Sequence, residues 1–286
     1  MSGATGPRPV EPAGGGGWAQ GLRLRTIYGT LLAALAVAVV LLGDRVFLGF
    51  VAVGAAILSW EWMRLCRAGR FGRLGLVAAA STVAAAILAF ADRPAWGIAL
   101  CVAAAVAVHV VARRSDPQGA GWGAAGIVYV GLPVVALVWL RGHDASGERL
   151  IAWLMLSVAV TDIAAFFAGR LIGGPKLAPR LSPKKTWAGL VGAMVATGLC
   201  GAVFAALDPT APRAATLAVA GVVLAVVAQA GDLFESAVKR HFGAKDASQL
   251  IPGHGGLLDR VDGLVVAAGA LAFFQGLTGG GLLAWQ

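Results

Sequence analysis

The residues best suited to chemistry lie between Ser236 and Gly263, SAVKRHFGAKDASQLIPGHGGLLDRVDG, a polar cassette between two long apolar runs. A bilayer does not tolerate so many ionisable groups facing lipid, so they sit outside the membrane or line a wet, protein-walled cavity. Asp232, Ser236 and Lys239 are spaced i, i+4, i+7 and share one face if the helix there continues, with Glu235 one step aside. Asp259 and Asp262, at i, i+3, share another. Two helix ends can thus present carboxylates, a hydroxyl and an ammonium to one cavity. An i, i+4 salt bridge between Glu235 and Lys239 could account for one pair, but not for the whole set. Clustered carboxylates need a cation to coexist, and hard oxygen ligands favour Mg²⁺, which keeps waters and bridges to phosphates. Between the helix ends, Ile251-Pro252-Gly253-His254-Gly255-Gly256 permits positive φ and lets backbone N–H groups crowd an anion. Such a run alone is a turn. Bracketed by Lys245 and Asp246 before it and Asp259, Arg260 and Asp262 after it, it reads as part of a site. His254 could contact phosphate or a base, or only hold the loop.

A second polar loop, GRLIGGPKLAPRLSPKKT (169–186), precedes Trp187. Pro175, Pro179 and Pro183 exclude a regular helix, so the basic groups are displayed on a shaped loop. Ser182, Lys184, Lys185 and Thr186 are placed to cap the following helix and to set cations at its positive end, where anions bind. Taken alone, the loop is better explained by the topological preference for basic residues inside the cell.

The elements that must carry these groups are membrane helices. With 58% hydrophobic and 13% charged residues and a mean hydropathy of +0.80, the chain is too apolar for a soluble domain of 286 residues. The expected fold is an all-α, polytopic helical bundle of about nine spans: 27–43, 46–63, 74–91, 95–111, 122–140, 150–169, 187–207, 214–233 and 264–283. Abundant Ala and Gly favour close helix packing. With the N-terminus inside and the C-terminus outside, only Arg45, Arg93, Arg141, Arg149 and Arg213 of the 23 Lys and Arg fall outside. Both polar loops then face the cytoplasm, and the basic bias suits anionic lipid headgroups rather than nucleic acid, for which no aromatic-interleaved basic module is present. Residues 1–25 read as a disordered tail, 26–149 as N-terminal spans and 150–286 as the catalytic membrane domain. Cys66, Cys101 and Cys200 are odd in number and dispersed, so neither a disulfide framework nor a thiolate metal site is indicated. Asp162, within the sixth span, is costly and so a functional candidate. Glu61, ending the second span beside Trp60 and Trp62, reads as an interfacial residue.

The cassette from Ser236 to Asp262 closely resembles the signature of the phosphatidate cytidylyltransferase family. Thr161-Asp162, Gly169-Arg170 and Ser182-Pro183-Lys184-Lys185-Thr186-Trp187 resemble that family's second motif region. The resemblance carries motifs over about residues 150–275. Three positions depart from the pattern: Phe166 in place of Tyr, Ala188 in place of Glu and Gly263 in place of Ser. The resemblance implies a Mg²⁺-dependent transfer of CMP from CTP to phosphatidate in the cell membrane, giving CDP-diacylglycerol and pyrophosphate. On that basis Asp232, Asp259, Asp262 and Asp246 are the expected metal ligands, and Asp232, Lys239, Asp259 and Asp262 the catalytic set. Ser182, Lys184, Lys185, Ser236, Lys245, His254 and Arg260 are the expected substrate contacts. Apolar outer helix faces serve lipid contact or a homodimer equally well. The rival readings are another CTP-dependent lipid transferase, such as a polyprenol kinase, and a cation or proton transporter using Asp162, Asp232 and Asp262. A transporter would more often place carboxylates at mid-membrane and show internal repeats, and none is seen.

Overall fold

The computed structural model describes residues 29–31, 34–142, 145–251, 255–279, 283 and 285. The expected tail, 1–25, and His254 lie outside them. Eight helices long and apolar enough to cross a membrane are present among the described residues: α1 (Asp44–Cys66), α2 (Gly72–Phe90), α3 (Pro94–Ser115), α4 (Pro117–Arg141), α5 (Ala145–Leu171), α6 (Trp187–Leu207), α7 (Ala214–His241) and α8 (Leu258–Leu277). The first of the nine expected spans falls partly on undescribed residues, and the apolar helix recorded there, Gly29–Leu41, is shorter than a span.

The chain is not purely helical. Residues 176–186 form an antiparallel hairpin, β1 (Lys176–Ala178) and β2 (Ser182–Thr186), in register Lys176 to Thr186 and Ala178 to Ser182. The prolines that forbid a helix here leave extended backbone free to pair. Where β2 ends, Thr186 takes an extended conformation and its Oγ1 accepts from Gly189 N at 3.1 Å, starting α6 with a side-chain cap, as expected.

Helices α1 to α4 pack on one another, and α5, α6 and α7 pack in succession. Helix α8 lies against α7, α4 and α5, and so joins the two groups. Small residues set the close approaches. A Cβ on Gly221 of α7 would stand 2.6 Å from the Thr197 carbonyl oxygen of α6, and one on Gly231 would stand 2.8 Å from the Asp262 carbonyl oxygen of α8. Without a hydrophobic force between helices in lipid, such backbone proximity supplies the packing energy. Buried hydroxyl pairs, Ser59 with Thr82 at 3.0 Å and Thr161 with Thr197 at 2.9 Å, tie α1 to α2 and α5 to α6. An aromatic cluster links the two groups: Trp62 donates Nε1–H to the Trp122 carbonyl at 2.8 Å, its ring lies 4.8 Å from Tyr129, and Tyr129 lies 5.2 Å from Phe234 of α7. Large apolar side chains on the outer faces, among them Leu199, Val219 and Phe273, are exposed, as lipid solvation requires.

Candidate active site

Helix α7 does continue past its apolar stretch, to His241, and α8 begins at Leu258, six residues before its apolar stretch. Both polar faces are therefore helical. Ser236 donates Oγ–H to Asp232 Oδ1 at 3.3 Å, one turn back on α7. Lys239 Nζ stands 2.5 Å from Glu235 Oε2 and 2.5 Å from Asp259 Oδ1, an ammonium held between a buried carboxylate on its own helix and one on α8. The intrahelical pair weighed from spacing is thus real, and Asp259 extends it across the helix interface.

A cavity of about 610 Å³ opens between α5, the hairpin, α6, α7 and α8. Asp162, Asp232, Asp259 and Asp262 line it, as do Ser182, Lys184, Lys185 and Arg260. The two motif regions meet there directly, because Lys185 of β2 places Nζ 2.6 Å from Asp232 Oδ2. Asp262 is repelled by Asp232 and Asp162, whereas Lys185 and Arg260 attract Asp162. Asp232 and Asp259, the two carboxylates expected to meet, do face one cavity.

The expected residues are nevertheless unequally placed. Asp259 is the more enclosed, its side chain 6% exposed with Oδ1 accepting from Lys239 and Oδ2 from Ala247 N at 2.9 Å and Gly256 N at 2.7 Å, whereas Asp232, contacted by Ser236 and Lys185, is 34% exposed. Asp246 is exposed and lines a different cavity, of about 690 Å³, with Glu61, Arg64 and Ser248. Lys245 is exposed on the loop.

One expectation is corrected. Glu61 is not interfacial but fully buried, accepting from Ser248 Oγ at 2.6 Å, Leu257 N at 2.8 Å and Leu258 N at 2.7 Å. Of the Gly-rich loop, the Ile251 amide donates to the Gly255 carbonyl and the Gly256 amide to Asp259, and those of Leu257 and Leu258 just after it point at Glu61; the centre of the expected anion nest, residues 252–254, lies outside the described residues. Gly255, at φ +86°, and Gly256 are required by these contacts, since a Cβ on Gly256 would stand 2.6 Å from Glu61 Oε1. Asp162 is the residue left out of the expected ligand set that the fold adds to the cavity. Its signal was its cost, a carboxylate inside an apolar span.

The cavity fits a hydrated divalent ion better than a caged one. Among the described residues, no three His, Cys, Asp or Glu side chains converge closely enough to hold an ion by themselves. Mg²⁺ is commonly held by one or two carboxylates plus substrate phosphates, which is the donor set that Asp232 and Asp262, beside several cations, can complete.

Comparison with known proteins agrees with this geometry. Residues 23–277 match the model of the cytidylyltransferase family. The chain belongs to that family. Its relatives include proteins named phosphatidate cytidylyltransferase from Brucella suis biovar 1, 42% identical over 78% of this chain and 82% of the relative, and from Brucella melitensis biotype 1, 43% identical over the same shares. A third, from Pseudomonas aeruginosa, is 35% identical over 79% of this chain and 86% of its own length. The resemblance read from the two motif regions thus extends over the first half of this cytidylyltransferase, where no motif was found. Of the three departures from the family pattern, Phe166 lines the cavity, with the Arg170 guanidinium 5.9 Å from its ring centre. A Cβ at Gly263 would meet Ala228 Cβ at 3.4 Å, so the backbone there leaves room for a side-chain carbon.

Proposed function

We propose that this chain transfers CMP from CTP to phosphatidate, releasing pyrophosphate and forming CDP-diacylglycerol, at the cytoplasmic face of the cell membrane. The observation that carries the reading is the 2.6 Å contact of Lys185 with Asp232, because it brings the two family motif regions into one acidic and basic cavity. The family and the names of the relatives support the same activity.

In this reaction an oxygen of the phosphatidate phosphate forms a bond to the α-phosphorus of CTP. The bond from that phosphorus to the oxygen bridging the α- and β-phosphates breaks, and pyrophosphate leaves. The attacking oxygen is already anionic, so no strong base is needed. The barrier lies in bringing two polyanions together, and positioning with electrostatic stabilisation lowers it. Lys184, Lys185 and Arg260 line the cavity where they can neutralise triphosphate and lipid phosphate. Asp232 and Asp262, with Asp162 beside them, would hold Mg²⁺, which supplies charge neutralisation on phosphate oxygens. Ser236 and Lys239 act from the edge: Ser236 fixes the rotamer of Asp232, and Lys239 fixes Asp259. The bias of Lys and Arg toward the loops on this side supports a cytoplasmic cavity, where nucleotides are. Phosphatidate, whose headgroup lies at the inner leaflet, reaches the cavity laterally.

The experiment is CTP-dependent formation of CDP-diacylglycerol by the purified chain in phosphatidate-containing nanodiscs. Asp262→Asn should abolish turnover with the fold retained. Near-normal turnover of this variant at saturating Mg²⁺ overturns the assignment of Asp262.

A further inference from the structure

We infer that Glu61, a carboxylate on α1 distant in sequence from both motif regions, is a positioning residue for the transfer reaction. It fixes the first turn of α8 and hence the place of Asp259 and Asp262. The inference rests on the cavity beside α8 being the reaction site.

Glu61 is fully buried, and a buried carboxylate persists only where hydrogen bonds or cations compensate the lost hydration. Its three donors all belong to the cassette, and they straddle the Gly-rich loop. Ser248 Oγ lies before the loop, and the Leu257 and Leu258 amides lie after it. One side chain therefore closes the loop and caps the N-terminus of α8, where the unpaired amides and the helix dipole favour negative charge. The partner amides lie 196 and 197 residues along the chain, so this is a tertiary cap and not a local one.

The consequences reach the site through a short relay. Asp259 follows Leu258 directly, and its Oδ2 accepts from Gly256 N and Ala247 N on the same loop that Glu61 closes. Its Oδ1 accepts from Lys239. Asp262 lies three residues further along α8, in the cavity. If α8 began half a turn later, the Gly256 and Ala247 amides would lose Asp259, Lys239 would lose its partner, and Asp262 would shift in the cavity. Gly256 leaves the space that Glu61 fills, since a Cβ there would lie 2.6 Å from Oε1 and 2.9 Å from the carboxyl carbon. Arg64, the cation one turn further along α1, stands over the Trp60 ring at 4.9 Å.

The test uses Glu61→Gln and Glu61→Asp in the full chain in nanodiscs, with amide hydrogen exchange over residues 244–262 and steady-state kinetics in CTP. Glu61→Gln keeps the shape but turns one acceptor into a donor facing an N–H. The expected result is faster exchange confined to the loop and the start of α8, and a kcat lowered about 100-fold, the scale of an ångström-size misplacement of reacting groups. KM for CTP should stay within about threefold, because the cavity cations are untouched. Glu61→Asp keeps the charge and should recover most of kcat. Should Glu61→Gln fail to fold, Ser248→Ala removes one donor and is expected to give the same exchange pattern with a smaller loss of kcat. Exchange that changes while kcat does not would overturn the positioning role and leave the proposed function standing. Exchange that rises uniformly through all helices would overturn it in favour of a general structural role. A parent protein without CTP-dependent product would refute the proposed function, while the exchange data would still report whether Glu61 holds the loop.

Discussion

Replacing Lys239 with Met removes a single positive charge from between two carboxylates, and its effect follows from the burial of the three groups. The Lys239 side chain is 13% exposed, that of Glu235 1% and that of Asp259 6%, with 2.5 Å contacts on both sides. Met fills the same volume, so packing changes little and the loss is electrostatic. Two buried anions then face each other without a counterion, and breaking a buried pair in this way costs about 3–5 kcal/mol. At a few degrees per kcal/mol for a chain of this size, the melting temperature should fall on the order of 10 °C. The assay is thermal unfolding in one detergent at one scan rate, for Lys239→Met, for Glu235→Gln and for the double variant. Glu235→Gln neutralises one of the orphaned anions, so the double variant should melt above Lys239→Met alone. The same reasoning leaves an exposed lysine such as Lys245 within about 0.5 kcal/mol of parent on substitution by Met. Lys239→Met melting within a degree of parent, or a double variant no more stable than the single, would refute the bridging role of this ammonium.

Three other outcomes follow from the same structure. Gly221→Ala puts a Cβ 2.6 Å from the Thr197 carbonyl oxygen on a neighbouring backbone that cannot yield, and should cost about 1–3 kcal/mol by the same melting measurement. Lys185→Ala removes the cation 2.6 Å from Asp232 and should raise KM for CTP roughly tenfold or more, read from initial rates over a CTP series. At the opposite face, hydrogen bonds from the Thr210 hydroxyl and amide, the charge of Arg149 and a bond from Trp285 hold the Asp208 carboxyl below the usual aspartate range. Its contribution to stability is fully present above the ordinary aspartate value and is lost as pH falls through the lowered native one. Asp208→Asn should therefore flatten the acid side of the melting profile, and an unchanged acid limb would count against that cluster.

How much of this was legible in the sequence depended on how local the signal was. Helix α6 was read end to end, because the proline-rich loop before Trp187 and Asp208-Pro209 after Leu207 punctuate it on both sides. The i, i+4, i+7 spacing made one shared face conditional on α7 continuing to Lys239, and the helix does continue, to His241. The start of α8 was read from the i, i+3 spacing of Asp259 and Asp262, although its apolar stretch begins only at Leu264; the Glu61 carboxylate that accepts from the Leu257 and Leu258 amides from α1 was not. No window of sequence contains both partners. The same distance hid the role of Glu61, whose neighbours Trp60 and Trp62 suggested the membrane edge. In fact Trp62 is buried against Tyr129 and donates to Trp122. The hairpin was half legible: prolines excluded the helix, but strands of three and five residues are too short for an alternating pattern. Asp162 was visible as an expensive residue, yet its membership of the cavity needed the packing of α5 against α6 and α7.

The central claim, that acidic and basic groups from both motif regions meet to move CMP from CTP onto a lipid phosphate, is tested most directly by following the label of CTP. Purified chain in phosphatidate nanodiscs with Mg²⁺ should place an α-phosphate label in the lipid and a γ-phosphate label in pyrophosphate, and Asp262→Asn should do neither. Label from the γ-phosphate in the lipid, or no phosphatidate-dependent release of pyrophosphate by the parent protein, would contradict it.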